Sequence, residues 1–211
     1  MAEVKIAADS GGGSVGLVGP ASTSSNAAVQ FKLPVADGSA GQVLQTDGSG
    51  NLSWVTPGIT EADQWRINAA SSLGSGGDIL TSGWERIDTA PNSGKLGTGM
   101  SQSSGVFTFP STGWWLVKFA GGFISTNDKW ICAQLYTNSN TPLAEACGNI
   151  NNYSGGNESL RLHFDLLLDI TDTSADAQKL KLRIISDGDV ALQYETTEQR
   201  FGFTFIRLGD T

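Results

Sequence analysis

The side chains of this sequence that could do chemistry are few, and the first of them is its single histidine. His163 stands two positions before Asp165 in a segment where apolar and polar residues alternate, so both are expected on the polar face of one strand. An imidazole beside a carboxylate can transfer protons, but turnover also needs a nucleophile or a bound metal. No hydrolase, zinc-protease, phosphate-loop or dinucleotide motif supplies one. We predict a protein that is not an enzyme, with His163 at a surface or an interface.

A group of aspartates near the C-terminus is the second candidate. Its members are Asp169, Asp172, Asp176, Asp187 and Asp189. Loop carboxylates are good ligands for Ca²⁺, so a calcium site is one interpretation. Aspartate is also an ordinary turn former, particularly before glycine, and this is the interpretation we favour. The sequence therefore predicts no cofactor and no metal, with Ca²⁺ as the alternative.

The two cysteines are the third candidate. Cys132 and Cys147 are too far apart for a CxxC metal or redox motif, which leaves a disulfide between neighbouring strands or two buried thiols. The N-terminal residues have neither the basic start nor the apolar run of a signal peptide. We therefore expect synthesis in a cytoplasm without export by that route, where two buried thiols are the expected state.

The charge of the chain excludes some partners. Its formal net charge is −8 and its pI is about 4.5, so it lacks the clustered Lys and Arg that a nucleic-acid backbone requires. No stretch approaches the length and hydrophobicity of a membrane span. We predict neither a nucleic-acid partner nor membrane insertion.

The segment Gly105–Gly122 contains the most apolar strand of the chain, and both faces of that strand are apolar. Trp115, Val117 and Phe119 alternate with a second set of residues on the opposite face. That second set is Trp114, Leu116, Lys118 and Ala120, in which Lys118 is the single charge. A strand that lines a core with one face should be polar on the other. The second face is therefore predicted to be covered by another copy of the same chain.

The remaining sequence predicts an all-β fold. Apolar residues alternate with polar ones along Leu160–Ile170, which is the period of a strand. About eight such strands after Thr56-Pro57-Gly58 predict an antiparallel jelly-roll sandwich over residues 59–211. Residues 1–58 show short strand patterns between Gly-rich turns, with an Asp-Gly hairpin turn between Val43–Thr46 and Leu52–Val55. So small a segment cannot offset its own ordering entropy, so we predict a β-rich stalk or docking segment that needs a partner. Either three copies intertwine or the segment lies along another protein, and disorder is the alternative that the apolar alternation makes weaker.

Four short motifs of the C-terminal part resemble the C1q and tumour-necrosis-factor-like jelly-roll superfamily. They are the run Gly105–Pro110, Gly113-Trp114-Trp115, the turn Asp187–Val190, and the closing strand segment Arg200–Phe203. Trp115 stands where that family usually has tyrosine. The resemblance covers residues 59–211 and implies the C1q/tumour-necrosis-factor-like form of the jelly roll.

The same resemblance implies a homotrimer, with the C-terminal strand at the threefold axis and a stalk leaving one end. It implies that Trp115, Val117 and Phe119 lie in the sandwich core. It also implies four trimer-interface residues, which are Trp114, Leu116, Lys118 and Arg200.

A second resemblance concerns the N-terminal part. The segment Leu33–Trp54, LPVADGSAGQVLQTDGSGNLSW, is similar to a segment of structural proteins of tailed bacteriophages, especially tail-fibre-like and head-decoration proteins. The ending Leu208-Gly209-Asp210 is also similar to the ends of such proteins. This resemblance implies a virion component that is made in the host bacterial cytoplasm and displayed on the particle.

Together these observations predict a non-enzymatic, trimeric virion surface protein, either a fibre or a capsid decoration protein. Residues 1–58 would dock on other virion proteins, and the head would be exposed for host adhesion to a surface glycan or protein. Tyr153, in the polar loop Asn149–Glu158, is the predicted recognition residue, because loops on a rigid scaffold often carry binding. The alternatives are a free C1q-like module that binds carbohydrate or protein and, less favoured, a glycan-degrading enzyme, which would need paired carboxylates.

Overall fold

The structure is a computed structural model that describes residues 3–7, 14–18, 20, 22–24, 28–70, 72–91, 94–151 and 155–211. Its contacts divide the chain into two compact units, Met1–Pro57 and Gly58–Thr211. Across the described residues, no helix is both long enough and apolar enough to cross a lipid bilayer.

The N-terminal unit contains two antiparallel hairpins. Its described strands are β1 (Glu3–Ala7), β2 (Ser14–Val18), β3 (Val43–Thr46) and β4 (Leu52–Val55). β1 pairs with β2 and β3 pairs with β4, so the hairpin predicted around Asp47-Gly48 is confirmed. Gly48 and Gly50 have φ angles of 77° and 92°, which glycine adopts without steric cost.

The carboxylate of Asp47 organises the turn between β3 and β4. It accepts hydrogen bonds from the Asn51 side-chain amide at 2.6 Å and from the backbone N–H of Ser49 at 2.8 Å. These bonds to Asn51 and Ser49 lower the pKa of Asp47 below its ordinary value of 3.8, because they favour the charged form. A lowered pKa in the folded state means that the turn is stabilised above the ordinary pKa and loses this contribution as pH falls through the folded pKa.

We expect the carboxyl carbon of Asp47, followed by NMR during acid titration, to titrate below its ordinary pKa. Asn51→Ala should move that midpoint upward, because it removes the largest cause of the shift. An Asp47 midpoint that is the same in the wild type and in Asn51→Ala would contradict this account of the turn.

The C-terminal unit is built almost entirely of strands. In chain order they are β5 (Ala62–Ile67), β6 (Ser72–Leu73), β7 (Asp78–Ile79), β8 (Trp84–Arg86), β9 (Lys95–Leu96), β10 (Ser101–Ser103), β11 (Val106–Thr108), β12 (Gly113–Ser125), β13 (Lys129–Thr137), β14 (Pro142–Ile150), β15 (Glu158–Ile170), β16 (Leu180–Ser186), β17 (Val190–Leu192) and β18 (Phe201–Gly209). A 3₁₀ turn, Asp176–Gln178, precedes β16.

These strands form two antiparallel sheets. The larger sheet has the order β6-β17-β12-β18-β5-β8, with β15 also paired to β12 and β9 also paired to β5. The smaller sheet has the order β10-β11-β16-β13-β14, with β7 also paired to β16. Strands adjacent in sequence, such as β12 and β13, lie in different sheets, which is the crossing pattern of a jelly roll. The predicted all-β fold with a C-terminal antiparallel jelly-roll sandwich is confirmed.

The core lies between the two sheets and is dominated by aromatic rings. Trp115, Val117 and Phe119 of β12 are buried, as predicted for the inward face of that strand. They pack with buried residues of β11, β13, β16 and β18, which are Phe107, Ile131, Ala133, Leu135, Leu180, Leu182, Ile184, Phe201, Phe203 and Phe205. The edge-to-face contacts of Phe107 with Trp65 and Phe203, at 5.5 and 5.4 Å between ring centroids, link the sheets across the core.

One carboxylate is buried beside this core. Asp63 of β5 is 2% exposed and accepts hydrogen bonds from the Trp65 indole N–H at 2.9 Å and from the backbone N–H of Met100 at 2.7 Å. Arg86 of β8 binds both of its oxygens, at 2.9 and 3.0 Å. The guanidinium of Arg86 also lies 4.7 Å from the centre of the Trp65 ring, in a cation–π contact. This network fixes β5, β8 and the segment before β10 to one another.

The expectation of two buried thiols is wrong. Cys132 of β13 and Cys147 of β14 face each other in the strand register and are joined by a disulfide. Cys132 is buried, but Cys147 is exposed on the outer face of the smaller sheet. The general preference of cytoplasmic proteins for free thiols could not predict this disulfide. The disulfide depends on the strand register, which places the two cysteines opposite each other.

Candidate functional site

An apolar row crosses the outer face of the larger sheet. The strand register aligns Leu167 of β15 with Leu116 of β12, and Leu116 with Ile206 of β18. It continues from Ile206 to Ala62 of β5, and from Ala62 to Leu96 of β9. These five side chains form the apolar row. The row is about 19 Å long at the usual spacing between strands. Because the inner face of this sheet already lines the core, an apolar outer face adds nothing to the packing within one chain.

The apolar row is partly exposed to solvent, and Trp114 extends it toward one end of β12. Leu167 and Leu96 are exposed, and the other three members are half-buried. Trp114, two residues before Leu116 on the same face of β12, is 44% exposed. Leu208 is also exposed and lies beside it, where the register between β12 and β18 shifts. Exposed apolar patches of this kind mark interaction surfaces.

A polar row lies directly beside the apolar one. Gln64, Thr204, Lys118 and Asp165 are aligned across β5, β18, β12 and β15. Lys118 donates to Asp165 and forms an ion pair with it. This row therefore carries no net charge, although the whole chain carries −8.

His163 lines a cavity of about 270 Å³ on the same face, together with Lys118, Asp165 and Thr204. Asp165 is held by Lys118, and within the described part of the chain His163 makes no hydrogen bond or ion pair. The imidazole is thus not joined to its carboxylate neighbour as an acid–base pair would be. The placement agrees with the predicted position of His163 at a surface or an interface.

The predicted interface residues Trp114, Leu116 and Lys118 share one face of β12, which the structure places outside the core. Arg200 immediately precedes β18, where its carbonyl accepts the N–H of Gly122 and its guanidinium pairs with Glu198 at 3.3 Å. It therefore lies toward the opposite end of β12 from Trp114. The predicted recognition residue Tyr153 lies outside the described residues.

Sequence reasoning missed four members of the apolar row, namely Leu167, Ile206, Ala62 and Leu96. A signal existed for Leu167, because it is an apolar residue at a polar position of the alternating segment Leu160–Ile170. The other three could be recognised only from the pairing of five strands. Leu116 is the one member of the apolar row that lies on β12, the strand whose two apolar faces are evident from the sequence.

Three of the five aspartates considered for calcium, Asp172, Asp176 and Asp187, have partners within the protein. Asp172 accepts hydrogen bonds from the hydroxyl and N–H of Ser174, and Asp176 pairs with Lys179 at 3.0 Å. These contacts lower the pKa of both carboxyls. Asp187 accepts the N–H of Trp130 at 3.0 Å. Among the residues that the structure describes, the only trio of possible metal ligands within 4.8 Å of one another is Cys132, Glu145 and Cys147.

Comparison with known proteins finds similarity in structure and not in sequence. No protein-family model matches the chain, and no curated protein matches it. Solved structures similar to it include Eiger TNF from S. frugiperda, at 12% identity, 71% of this chain, 93% of that chain and a TM-score of 0.49.

Murine APRIL at pH 5.0 is similar at 9% identity, 70% of this chain, 98% of that chain and a TM-score of 0.49. The PRD1 vertex protein P5 is similar at 10% identity, 72% of this chain, 100% of that chain and a TM-score of 0.41. All three TM-scores lie below 0.5, so neither function nor partner transfers from these proteins to this chain.

Proposed function

We propose that the protein is a non-enzymatic, homotrimeric surface protein of a bacteriophage particle. Its jelly-roll unit would self-associate through the outer face of the larger sheet, and its N-terminal unit would dock on other virion proteins. The observation that carries the proposal is the apolar row, which crosses the outer face of five strands of a sheet whose other face is already buried in the core.

The occupant that best fits this face is another copy of the same chain. Copies with a net charge of −8 repel one another, so their contact must be made where the charge is balanced. The apolar row is uncharged, and the row beside it is balanced by the Lys118–Asp165 pair. The five strands have 13, 13, 9, 6 and 2 residues. Their outer face therefore covers roughly 700 Å², close to the ~800 Å² that one partner buries in a stable interface of standard size.

The number of copies and the virion location rest on the sequence resemblances. Three copies are what the C1q and tumour-necrosis-factor-like motifs imply, and closed rotational symmetry is the usual outcome of self-association. The virion assignment rests on the segment Leu33–Trp54, which is similar to segments of phage structural proteins.

The N-terminal unit has the exposed apolar surface that a docking segment needs. Phe31 and Leu33 are 66% and 67% exposed, and Val29 and Val35 are exposed as well. Few of its described side chains are even half-buried, so the unit gains little from its own packing. A partner that covers these residues would supply the missing burial.

The mechanism in this proposal is binding. Three copies held together multiply a weak contact with a host surface into avidity, since the second and third contacts form within one assembly. The adhesion surface would be formed by loops of the head, including the one that contains Tyr153.

The proposal is tested in two steps with the full-length chain. Sedimentation velocity should give the mass of a trimer at micromolar concentration, and labelled antibody should bind intact particles. The double variant Phe31→Asp/Leu33→Asp should remain trimeric but fail to join particles, because charge is placed on the docking surface. Leu143→Asp, on the outer face of the smaller sheet, is the matched control and should be incorporated normally.

A monomer, or particles that antibody does not label, would contradict the proposal. A trimer that binds glycan or protein equally well in the wild type and the double variant, and never joins particles, would favour a free C1q-like module. Release of sugar from host glycans would favour an enzyme.

A further inference from the structure

The outer face of the smaller sheet contains a compact group of metal-ligand side chains. In the register of β13 and β14, Cys132 faces Cys147 and Gln134 faces Glu145. Glu145 lies two residues before Cys147, so its side chain is on the same face of β14. One ligand atom from each of Cys132, Glu145 and Cys147 lies within 4.8 Å of the others. We propose that, when the disulfide is reduced, these three side chains form a site for a thiolate-binding divalent cation, with Zn²⁺ as the best match.

The spacing of the two cysteines suits such a cation. Their Cα atoms are 4.1 Å apart, close to the spacing of the narrower type of antiparallel pair. In a tetrahedral zinc site with Zn–S bonds of about 2.3 Å, the two sulfurs are about 3.8 Å apart. Directly opposed side chains on neighbouring strands can reach this separation without movement of the backbone.

The chemistry is a two-electron reduction followed by metal binding. Two molecules of a thiol reductant such as glutathione together donate two electrons and two protons, break the S–S bond, and are oxidised to one glutathione disulfide. Zn²⁺ then displaces one proton from each thiol and forms two Zn–S bonds. The Glu145 carboxylate supplies a third ligand, and water completes the tetrahedron.

The surroundings favour this ligand set. Gln134 donates its side-chain amide to Glu145, which orients the carboxylate in the way outer hydrogen bonds orient metal ligands. Two thiolates and one carboxylate suit Zn²⁺, whereas Ca²⁺ and Mg²⁺ prefer oxygen ligands alone.

With this site, Cys132 and Cys147 could join β13 to β14 either through a metal ion or through a disulfide. In a reducing compartment, a metal would join β13 to β14. In an oxidising one, the disulfide does so, and the cation has no thiolates to bind. Cys147 and Glu145 are exposed, so both reductant and metal can reach the site from solvent.

The test is a titration of the full-length protein with Zn²⁺ against a chromogenic chelator, after reduction with a phosphine under anaerobic conditions. The reduced protein should bind one Zn²⁺ with the release of two protons, and the oxidised protein should bind none. Cd²⁺, used as a spectroscopic probe, should give thiolate charge-transfer absorption only in the reduced form.

Variants separate the three ligands from adventitious binding. Cys147→Ser should abolish stoichiometric binding, and Glu145→Gln should weaken it at least ~10-fold. His163→Ala is the matched control and should bind as the wild type does. Glu145 is exposed, so its variant keeps the fold and remains informative if Cys147→Ser does not. Failure of the reduced wild type to bind at micromolar Zn²⁺, or equal affinity in Glu145→Gln, would overturn the proposal.

Discussion

Asp63→Ala is expected to lower the free energy of unfolding of the jelly-roll unit by about 3 kcal/mol, because it breaks a buried, hydrogen-bonded ion pair. The carboxylate of Asp63 is 2% exposed and accepts hydrogen bonds from Arg86, the Trp65 indole and the Met100 N–H. Without it, the Trp65 and Met100 donors lose their buried acceptor. Unsatisfied buried donors cost about 1–3 kcal/mol each.

The loss of unfolding free energy should be smaller than the largest values known for broken buried ion pairs. The side chain of Arg86 is 31% exposed, so its guanidinium can turn toward water once Asp63 is gone. Arg86 also keeps its hydrogen bond to the carbonyl of Met100 at 2.6 Å. Asp63→Asn should lie between the wild type and alanine, because the amide oxygen can still accept one bond but carries no charge to pair with Arg86.

Urea denaturation followed by tryptophan fluorescence measures this effect. Asp176→Asn is the matched control, since it removes a carboxylate from a surface ion pair with Lys179, and its midpoint should stay close to that of the wild type. If Asp63→Ala unfolds at the same urea concentration as Asp176→Asn, the buried network does not hold β5, β8 and Met100 together.

The alternation of single strands was sufficient to predict the fold class and part of the core. Trp115, Val117 and Phe119 are buried and Trp114 is exposed, because period two fixes which side chains share a face. The pattern of Leu160–Ile170 predicted β15 for the same reason. These predictions need only local information, since the strand backbone itself sets the alternation.

The features that depend on contacts between distant residues could not be predicted in this way. Asp63 finds its partners 23 and 37 residues further along, at Arg86 and Met100. From the sequence alone, Asp63 is therefore recognisable only as an acidic residue at an inward position of a strand, without its partners. The disulfide of Cys132 and Cys147 spans 15 residues and depends on the register of β13 against β14. A shift of one residue in that register would move either side chain to the other face.

The assembly face combines both kinds of information. Trp114 and Leu116 could be recognised from one strand whose two faces are both apolar. The alignment of Leu116 with Ile206, Ala62 and Leu96 required the order of the larger sheet. The two apolar faces of β12 thus indicated self-association, and the pairing of β12 with its neighbours showed how far the apolar surface extends.

Trp114→Ala is expected to weaken self-association by about 2 kcal/mol per interface, the loss typical of a hot-spot tryptophan, or roughly 30-fold in each dissociation constant. Trp130→Ala provides a matched control. The two tryptophans are 44% and 43% exposed, but Trp130 lies on the outer face of the smaller sheet. The two substitutions remove the same side chain at nearly equal exposure, so only a role of the larger sheet in assembly separates their effects.

Leu167→Lys should dissociate the assembly more completely, because it places one buried charge in every interface that closes the ring. The monomer should tolerate it, since Leu167 is 58% exposed and its neighbours along the same face, Asp165 and Asp169, are acidic. Sedimentation velocity over a concentration series should show trimers for the wild type and Trp130→Ala, a weakened equilibrium for Trp114→Ala, and folded monomers for Leu167→Lys. Trimers of equal strength in all four proteins would show that the outer face of the larger sheet is not the contact, whereas loss of assembly in Trp130→Ala alone would place it on the smaller sheet.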